Sequence, residues 1–179
     1  LISGFKISQY LFPPKDKVDS AREVHASLQG ITETIDGKLL VGQPESDTRP
    51  FVLVVAAMQT DSFERRLGLL DHERTVLIVG DRRNIQLLAI EAGVHAVIVT
   101  GNMPVDDDVL EVARTHGVRF IHSPHDTATT VLLARSAVRA ERMTYDDFLS
   151  LPPEMPLAEA QREVALSPQF AFPVVTADG

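Results

Sequence analysis

The sequence predicts an α/β domain of three layers, in which a mostly parallel sheet is covered by helices. Between residues 74 and 137, three apolar runs each end in a polar turn and lead into a helical pattern. This alternation favours parallel strands joined by right-handed crossovers, with helices on both faces of the sheet. At 179 residues and 44% hydrophobic content, the chain is long enough to bury one substantial core.

The composition disfavours several classes of function. A net charge of -8 without a long basic run gives nucleic-acid binding little electrostatic support. The absence of cysteine excludes a disulfide framework, a thiolate nucleophile and a Cys-ligated zinc. No apolar run approaches the length that spans a bilayer, and the start lacks the order of a signal peptide. We therefore expect a cytoplasmic protein with no nucleic-acid or membrane partner. Because the chain begins at Leu1, we also expect a piece of a longer protein.

The first element of the predicted domain is a helix. Ser20 is the expected N-cap, and Gly37 is expected to close the helix. Apolar residues spaced at threes and fours would form its buried stripe, namely Val24, Leu28, Ile31 and Ile35.

A strand, a loop, a second strand and a second helix follow. Residues 38–41 are typical of a short strand, 42–50 of a polar loop, and 51–58 of a fully buried strand. Asp61 or Ser62 is expected to cap the helix. Its apolar positions are Phe63, Leu67 and Leu70.

The repeated half supplies the remaining elements. Strands are predicted at residues 75–79, 95–99 and 118–121. Asp81 is expected to cap a helix over 84–92, and either Asp126 or Thr127 to cap a helix that ends at Ala137. The acidic run 106–108 is typical of a helix start, where carboxylates interact favourably with the macrodipole.

The three polar turns are predicted to meet at one edge of the sheet. In open parallel sheets, ligands bind outside the carboxyl ends of the strands, where helix N-termini present free N–H groups. Capping and packing explain most of the turn residues. They do not explain Arg82 and Arg83 in a first helical turn, where the macrodipole disfavours cations. An acidic neighbour, a partner chain or an anionic ligand would have to hold these two side chains.

Catalytic and metal sites are weaker hypotheses. His122, His125 and Asp126 share one loop and are possible metal ligands, although a loop histidine is commonly a hydrogen-bonding group. Ser123 beside His125 suggests a nucleophile and a base, but no nucleophile-elbow sequence supports that pair. The run 71–73, Asp-His-Glu, lies on the entering side of its strand and is most simply a solvated turn. No catalytic residue and no metal site are therefore assigned.

The turn sequences resemble those of the DRTGG domain. The resemblance rests on Gly80-Asp81-Arg82, on Thr100-Gly101-Asn102 and on the run 123–127, Ser-Pro-His-Asp-Thr. Arg83 stands where the family name expects Thr, and Asn102 stands for the second glycine. The predicted motif edge comprises Asp81, Arg82, Thr100, Gly101, Asn102, His125, Asp126 and Thr127.

The sequences on both sides of this domain are similar to parts of CBS domains. The run from Val54 to Gln59, the turn motifs and these flanks together resemble the CBS-DRTGG-CBS insert of family II, manganese-dependent inorganic pyrophosphatases. The resemblance implies a C-terminal CBS remnant at 1–14, a DRTGG domain at 15–138 and the N-terminal part of a second CBS domain at 139–179. The flanks therefore add partial α+β elements to the three-layer domain, including a helix over 156–166 and a strand at 172–175.

That resemblance also implies a function. Such regulatory regions sense adenine nucleotides (AMP, ADP, ATP or diadenosine polyphosphates), dimerise, and share a chain with catalytic domains that hold Mn²⁺. By this resemblance the nucleotide pocket would be lined by Met143, Thr144, Phe172, Pro173 and Val174. The first half-site has Ile7 and Tyr10 at its phosphate-binding positions, so we expect weak nucleotide binding by this region alone. The alternative parent is a phosphotransacetylase or a CBS-containing transcriptional regulator.

Overall fold

A computed structural model describes residues 23–139, 149–167, 169 and 171–176 of the chain. The chain divides into two compact units. Residues 23–139 belong to one unit, and the described residues after 149 belong to the other.

The larger unit is built on a mixed, mostly parallel sheet. Its strands are β1 (Glu23–Ala26), β2 (Lys38–Val41), β3 (Arg49–Val55), β4 (Thr75–Val79), β5 (Ala96–Val99) and β6 (Arg119–His122). They lie in the order β1-β3-β4-β5-β6-β2. The four central strands are parallel, whereas β1 and β2 are antiparallel to their neighbours at the two edges.

Helices cover both faces of this sheet. They are α1 (Leu28–Thr34), α2 (Thr60–Leu67), α3 (Arg83–Glu91), α4 (Asp107–His116) and α5 (Thr127–Arg135). Alternate residues of β4 point to opposite faces, with Leu77 packing in the core under α2, α3 and α4. Ile78 packs in the core under α1 and α5. The predicted three-layer α/β class is confirmed.

The first predicted helix is wrong over its first turn, because residues 23–26 form strand β1. Val24 and Ala26 are fully buried and alternate with partly buried neighbours, and the strand pairs with β3. The helix begins only after Ser27, whose Oγ accepts a hydrogen bond from the N–H of Gly30 at 3.0 Å. It ends at Thr34, before Gly37. The predicted cap Ser20 lies outside the described residues.

Two predicted N-caps are also wrong. The N-cap of α2 is Gln59, so Asp61 lies inside the first turn, and no side chain caps this helix. Helix α3 begins at Arg83 with Arg82 as N-cap. Asp81 instead accepts a backbone hydrogen bond from the N–H of Arg83 at 3.0 Å through its carbonyl. Helix α2 thus begins before Asp61 could cap it, whereas helix α3 begins one residue too late to be capped by Asp81.

The strand predictions need smaller corrections. β3 ends at Val55 because the chain turns toward α2 there, and β5 begins one residue later than predicted. Strand β6 is shifted by one residue, so His122 is its last member and not part of the turn.

The smaller unit contains α6 (Leu157–Leu166), with Pro156 as N-cap, and this confirms the predicted helix. The run 172–175 makes an isolated parallel bridge with Leu151 and not a strand. Leu151 donates to the carbonyl of Pro173 at 2.9 Å and accepts from the N–H of Val175 at 3.0 Å. Within the described parts of both units, no helix has the length and apolar character needed to cross a bilayer.

Candidate functional site

The three polar turns meet at the carboxyl edge of the parallel strands, as predicted. Gly80 follows β4, Thr100 follows β5 and Ser123 follows β6. The pairing of Val79 with Val99 and of Val99 with His122 places the ends of the three strands side by side. In this architecture such an edge is the usual place for a ligand.

The turn after β5 is defined by two successive residues in the left-handed region. Gly101 has a φ of 76° and Asn102 a φ of 54°. Glycine and, less readily, asparagine adopt this conformation, so Asn102 can stand where the family motif has its second glycine. The N–H of Gly101 donates to the carbonyl of His125 at 2.6 Å, and that of Asn102 to Ser123 at 3.1 Å. This turn is therefore joined to the loop before α5.

Thr100 strengthens the same connection from inside the protein. Its side chain is buried, and its hydroxyl lies 2.9 Å from that of Thr127, the first residue of α5. Its backbone N–H donates to the carbonyl of Val79 at 3.0 Å. Thr100 thus links the end of β4, the turn after β5 and the start of α5.

Arg82 satisfies the backbone that continues from β3. Its Nη1 donates to the carbonyl of Ala56 at 3.1 Å and to that of Met58 at 2.7 Å. These carbonyls lie between β3 and α2, where the strand ladder has ended. Arg82 therefore has a structural reason to occupy this turn.

Arg83 has the acidic neighbours that were expected for a cation in the first turn of a helix. Its Nε lies 3.3 Å from Asp106, and its Nη2 donates to Asp108 in the first turn of α4. The hydrogen bond from Arg83 holds the pKa of Asp108 below its ordinary value. The pair connects the N-termini of α3 and α4 without an anionic ligand.

The N-terminus of α5 is occupied by a carboxylate of the chain itself. Asp126 Oδ1 accepts from the N–H groups of Ala128 at 2.8 Å and Thr129 at 3.0 Å, and Oδ2 accepts from the Thr129 hydroxyl at 2.7 Å. These bonds, led by that of the Thr129 hydroxyl, lower the pKa of Asp126. The predicted cap is confirmed, and an external anion would have to displace it.

The side chains considered as metal ligands do not converge. His125 Nε2 donates to Asp36 at 3.0 Å, whereas His122 Nε2 donates to the carbonyl of Met103 at 2.8 Å. Asp126 is engaged as the cap. Across the described ranges, no cluster of three or more His, Asp or Glu side chains has a geometry suited to a metal ion. The metal hypothesis for this loop therefore finds no support in the geometry.

The Ser123 and His125 pair is not arranged for nucleophilic catalysis. Ser123 is fully buried, and its Oγ lies 3.3 Å from the carbonyl of Ile35 and 3.0 Å from the hydroxyl of Thr130. His125 reaches Ser123 with its backbone N–H, at 3.3 Å, while its imidazole binds Asp36. A base oriented toward Asp36 is not positioned to accept the proton of Ser123.

The structure describes only some of the five residues that are expected to line a CBS nucleotide pocket. Met143 and Thr144 lie outside the described residues. Phe172 and Pro173 are half-buried and Val174 is exposed, next to the bridge with Leu151. A nucleotide-binding role for these five residues stays a prediction.

A charged cluster that was not predicted from the sequence lies at the opposite edge of the sheet. Glu45, from the loop between β2 and β3, binds Arg49, His95 and Arg119. No motif spacing marks this set, because its members come from four separate places in the chain. The one available signal was the His-Ala-Val-Ile-Val run, in which a polar residue directly precedes a fully buried strand.

Comparison with known proteins agrees with the turn motifs. The family model described as the DRTGG domain matches residues 30–137. A cobalt-dependent inorganic pyrophosphatase of Clostridium perfringens is 27% identical over 150 residues, which are 83% of this chain and 27% of the relative. The uncharacterised protein YtoI of Bacillus subtilis is 30% identical over 139 residues, which are 78% of this chain and 30% of the relative. The chain therefore spans less than a third of either relative.

A solved structure has the same fold. It contains the CBS and DRTGG domains of the regulatory region of the Clostridium perfringens pyrophosphatase, complexed with the activator diadenosine tetraphosphate. The similarity has a TM-score of 0.73 at 24% identity and covers 98% of this chain and 75% of the other. Because the family model covers more than half of the sequence and its motif turns form the carboxyl edge of the sheet, the chain belongs to the DRTGG domain family.

Proposed function

We propose that this chain is a regulatory region that senses adenine nucleotides in a longer protein related to inorganic pyrophosphatases. The observation that carries the proposal is the likeness of fold, which extends over nearly the whole chain to a pyrophosphatase regulatory region bound to diadenosine tetraphosphate. The sequence similarity to a pyrophosphatase over 83% of the chain supports the same parent.

The geometry of the motif edge favours a structural role over catalysis. The side chains of Arg82 and Thr100 bind backbone or side chains of neighbouring turns, and the carboxylate of Asp126 caps its own helix. Groups with these partners stiffen the edge and are not free to act on a substrate. We therefore infer that catalysis belongs to other domains of the parent.

The finer assignment follows the resemblance. The DRTGG domain, at 15–138, acts as a dimerising spacer between CBS parts at 1–14 and 139–179, and ligand binding at the CBS parts biases the arrangement of the dimer. Met143, Thr144, Phe172, Pro173 and Val174 line the nucleotide pocket. The metal belongs to the catalytic domains, where the resemblance implies manganese and the name of the bacterial relative gives cobalt.

Calorimetry on the longest natural protein that contains this region tests the proposal. Diadenosine tetraphosphate, AMP and ATP are titrated separately, and we expect saturable binding of at least one of them. Phe172→Ala should weaken this binding by about tenfold, the loss expected for one aromatic contact with a base. Leu69→Ala, at an exposed position of the DRTGG domain, is the matched control and should bind like the wild type.

The same protein is used to test whether the parent is a pyrophosphatase. Diphosphate hydrolysis that depends on Mn²⁺ or Co²⁺ and changes with the bound nucleotide is the expected result. Failure of all three nucleotides to bind the intact protein would refute the sensing role. Diphosphate hydrolysis that no nucleotide changes would support a pyrophosphatase as the parent protein and refute the regulatory role of this region.

A further inference from the structure

The loop 42–48 crosses the amino ends of the parallel strands. It leaves β2, which lies at one edge of the sheet beside β6, and enters β3, four strand positions away. Four strand spacings of about 4.8 Å amount to about 19 Å, and the chain from Val41 to Arg49 reaches at most about 27 Å. The loop therefore has limited slack, and its middle residue, Glu45, falls near the amino end of β5.

Glu45 places its carboxylate among three donors that come from the starts of strands. Oε2 accepts from Arg49, at the start of β3, and from Nε2 of His95, directly before β5, at 2.9 Å. Oε1 pairs with Arg119, the first residue of β6. The acceptor therefore belongs to a surface loop, whereas the donors belong to the sheet or directly adjoin it.

The three donors are also held by contacts outside the carboxylate. The centroid of the buried Phe51 ring lies 4.9 Å from that of His95 and 5.2 Å from the guanidinium carbon of Arg49. The side chain of Arg119 packs against Gly42, where an added Cβ would lie 2.8 Å from Cγ of the arginine. Gly42 also has a φ of 98°, which favours glycine. The donors are thus positioned by packing as well as by the ion pairs.

His95 acts as a hydrogen-bond donor in this cluster. Its side chain is 6% exposed, and Nε2 also lies 3.2 Å from Nη2 of Arg49. Because a guanidinium can only donate and a carboxylate can only accept, the contact of Nε2 with Glu45 requires a hydrogen on Nε2. Two guanidiniums and one imidazole therefore direct N–H groups at a single carboxylate.

One carboxylate does not balance the charge of this cluster. Among the described residues, Arg49 and Arg119 both form their ion pairs with Glu45, and Nε of Arg49 is buried without a hydrogen-bond partner. Burial alone would raise the pKa of Glu45, but the hydrogen bond from Arg49 and the nearby positive charges lower it. The cluster therefore favours negative charge, and two guanidiniums match a dianion better than they match a single carboxylate.

We propose that Arg49, His95 and Arg119 form a binding site for a dianionic phosphate group, and that Glu45 occupies this site as an internal ligand. A phosphate group presents acceptor oxygens in several directions and carries the two negative charges that balance the guanidiniums. Its binding displaces Glu45 and releases the loop 42–48. The site lies at the edge opposite the motif turns and does not depend on the nucleotide pocket proposed for the CBS parts.

Displacement of Glu45 can be observed outside the site as well. The carbonyl of Glu45 accepts from the N–H of Gln29, in the first turn of α1, at 2.9 Å. This amide loses its partner when the loop leaves the strand ends. Hydrogen exchange of Gln29 and of residues 42–48 therefore reports whether the internal ligand is in place.

Hydrogen exchange on the whole chain, with and without inorganic phosphate, tests the displacement. The pH is held at about 8, where phosphate is mainly the dianion and histidine is neutral, and sodium chloride keeps the ionic strength constant. We expect phosphate to reduce the protection of residues 42–48 and of the Gln29 amide severalfold, while that of β4 is unchanged. Asp47→Ala removes an exposed carboxylate of the same loop and should respond like the wild type.

Calorimetry on Glu45→Ala tests the site without its internal ligand. We expect phosphate to bind this variant at least about tenfold more tightly than it binds Asp47→Ala, because no carboxylate of the chain has to be displaced. Adding Arg119→Gln to Glu45→Ala should remove the gain. Glycerol 3-phosphate is titrated in parallel: binding of both compounds supports a phosphate ester as the ligand, and binding of phosphate alone supports the free ion.

Three results would overturn the proposal. Phosphate would leave the wild-type protection of the loop unchanged, neither compound would bind Glu45→Ala more tightly than Asp47→Ala, or the gain would persist after Arg119→Gln. Circular dichroism shows whether Glu45→Ala is folded. If it is not, the exchange experiment on the wild type decides.

Discussion

Arg82 and Arg83 are adjacent in the sequence but have different partners in the fold. Arg82 is half-buried and donates to two backbone carbonyls beyond β3. Arg83 is exposed and pairs with carboxylates of α4. Of the two, only Arg82 completes backbone hydrogen bonding inside the domain.

We predict that Arg82→Ala destabilises the domain more than Arg83→Ala. Loss of two charge-assisted bonds to partly buried carbonyls should lower the free energy of unfolding by about 1.5–3 kcal/mol. Loss of the exposed ion pairs of Arg83 should lower it by about 0–1 kcal/mol. Urea unfolding followed by circular dichroism measures both. An equal decrease in the free energy of unfolding for the two variants would show that the bonds to Ala56 and Met58 contribute little to stability.

At the scale of elements, α5 depends on its N-cap. Asp126 satisfies two backbone N–H groups of the first turn, and its pKa is lowered chiefly by the hydroxyl of Thr129. A carboxyl group with a lowered folded-state pKa stabilises the protein above its unfolded pKa, and this stabilisation is lost as the pH falls through the folded value.

We predict that Asp126→Ala lowers the melting temperature at neutral pH. This difference from the wild type should begin to shrink below about pH 3.9, the ordinary pKa of aspartate, and should be lost as the pH falls through the lower pKa of the folded cap, because the wild-type carboxylate is then protonated. Asp126→Asn is the control, since asparagine caps helices as well as aspartate does and does not titrate. Thermal scans at a series of pH values supply the data. A pH-independent gap between the alanine variant and the wild type would contradict an ionised cap.

The elements also show how far the sequence could predict this fold. The repeated half was predicted almost correctly because fully apolar runs that end in polar turns have few alternatives. Strand β1 was missed because Val24 and Leu28 lie at helical spacing, and a strand of four residues contains only two alternations. Pairing with β3 decides its conformation, and local sequence carries no information about that partner.

The candidate site, like the fold, could be predicted from the sequence only in part. The three motif turns were placed at one edge because the direction of parallel strands determines it. The partners of Arg82 and the set around Glu45 could not be predicted, since they depend on which loops come together in three dimensions. His95 and Glu45, for example, meet from positions on opposite sides of β3 and β4 in the chain.

On the scale of the whole molecule, we predict that the chain is a homodimer. The dimerising role that the resemblance to the CBS-DRTGG-CBS insert implies is the basis of this prediction. Light scattering coupled to size-exclusion chromatography should give a mass twice that of one chain. A mass of one chain at high protein concentration would contradict dimerisation.

The position of β2 has a consequence for how the domain forms. Lys38 pairs with His122, so β2 has no neighbour in the described sheet until β6 has formed. Closing the long loop between β2 and β6 has an entropic cost, and such non-local pairing slows folding. During synthesis β2 must remain unpaired until β6 has left the ribosome. A chain ending before Arg119 would lack β6, the partner of β2, and we expect it to aggregate rather than to fold into a smaller domain.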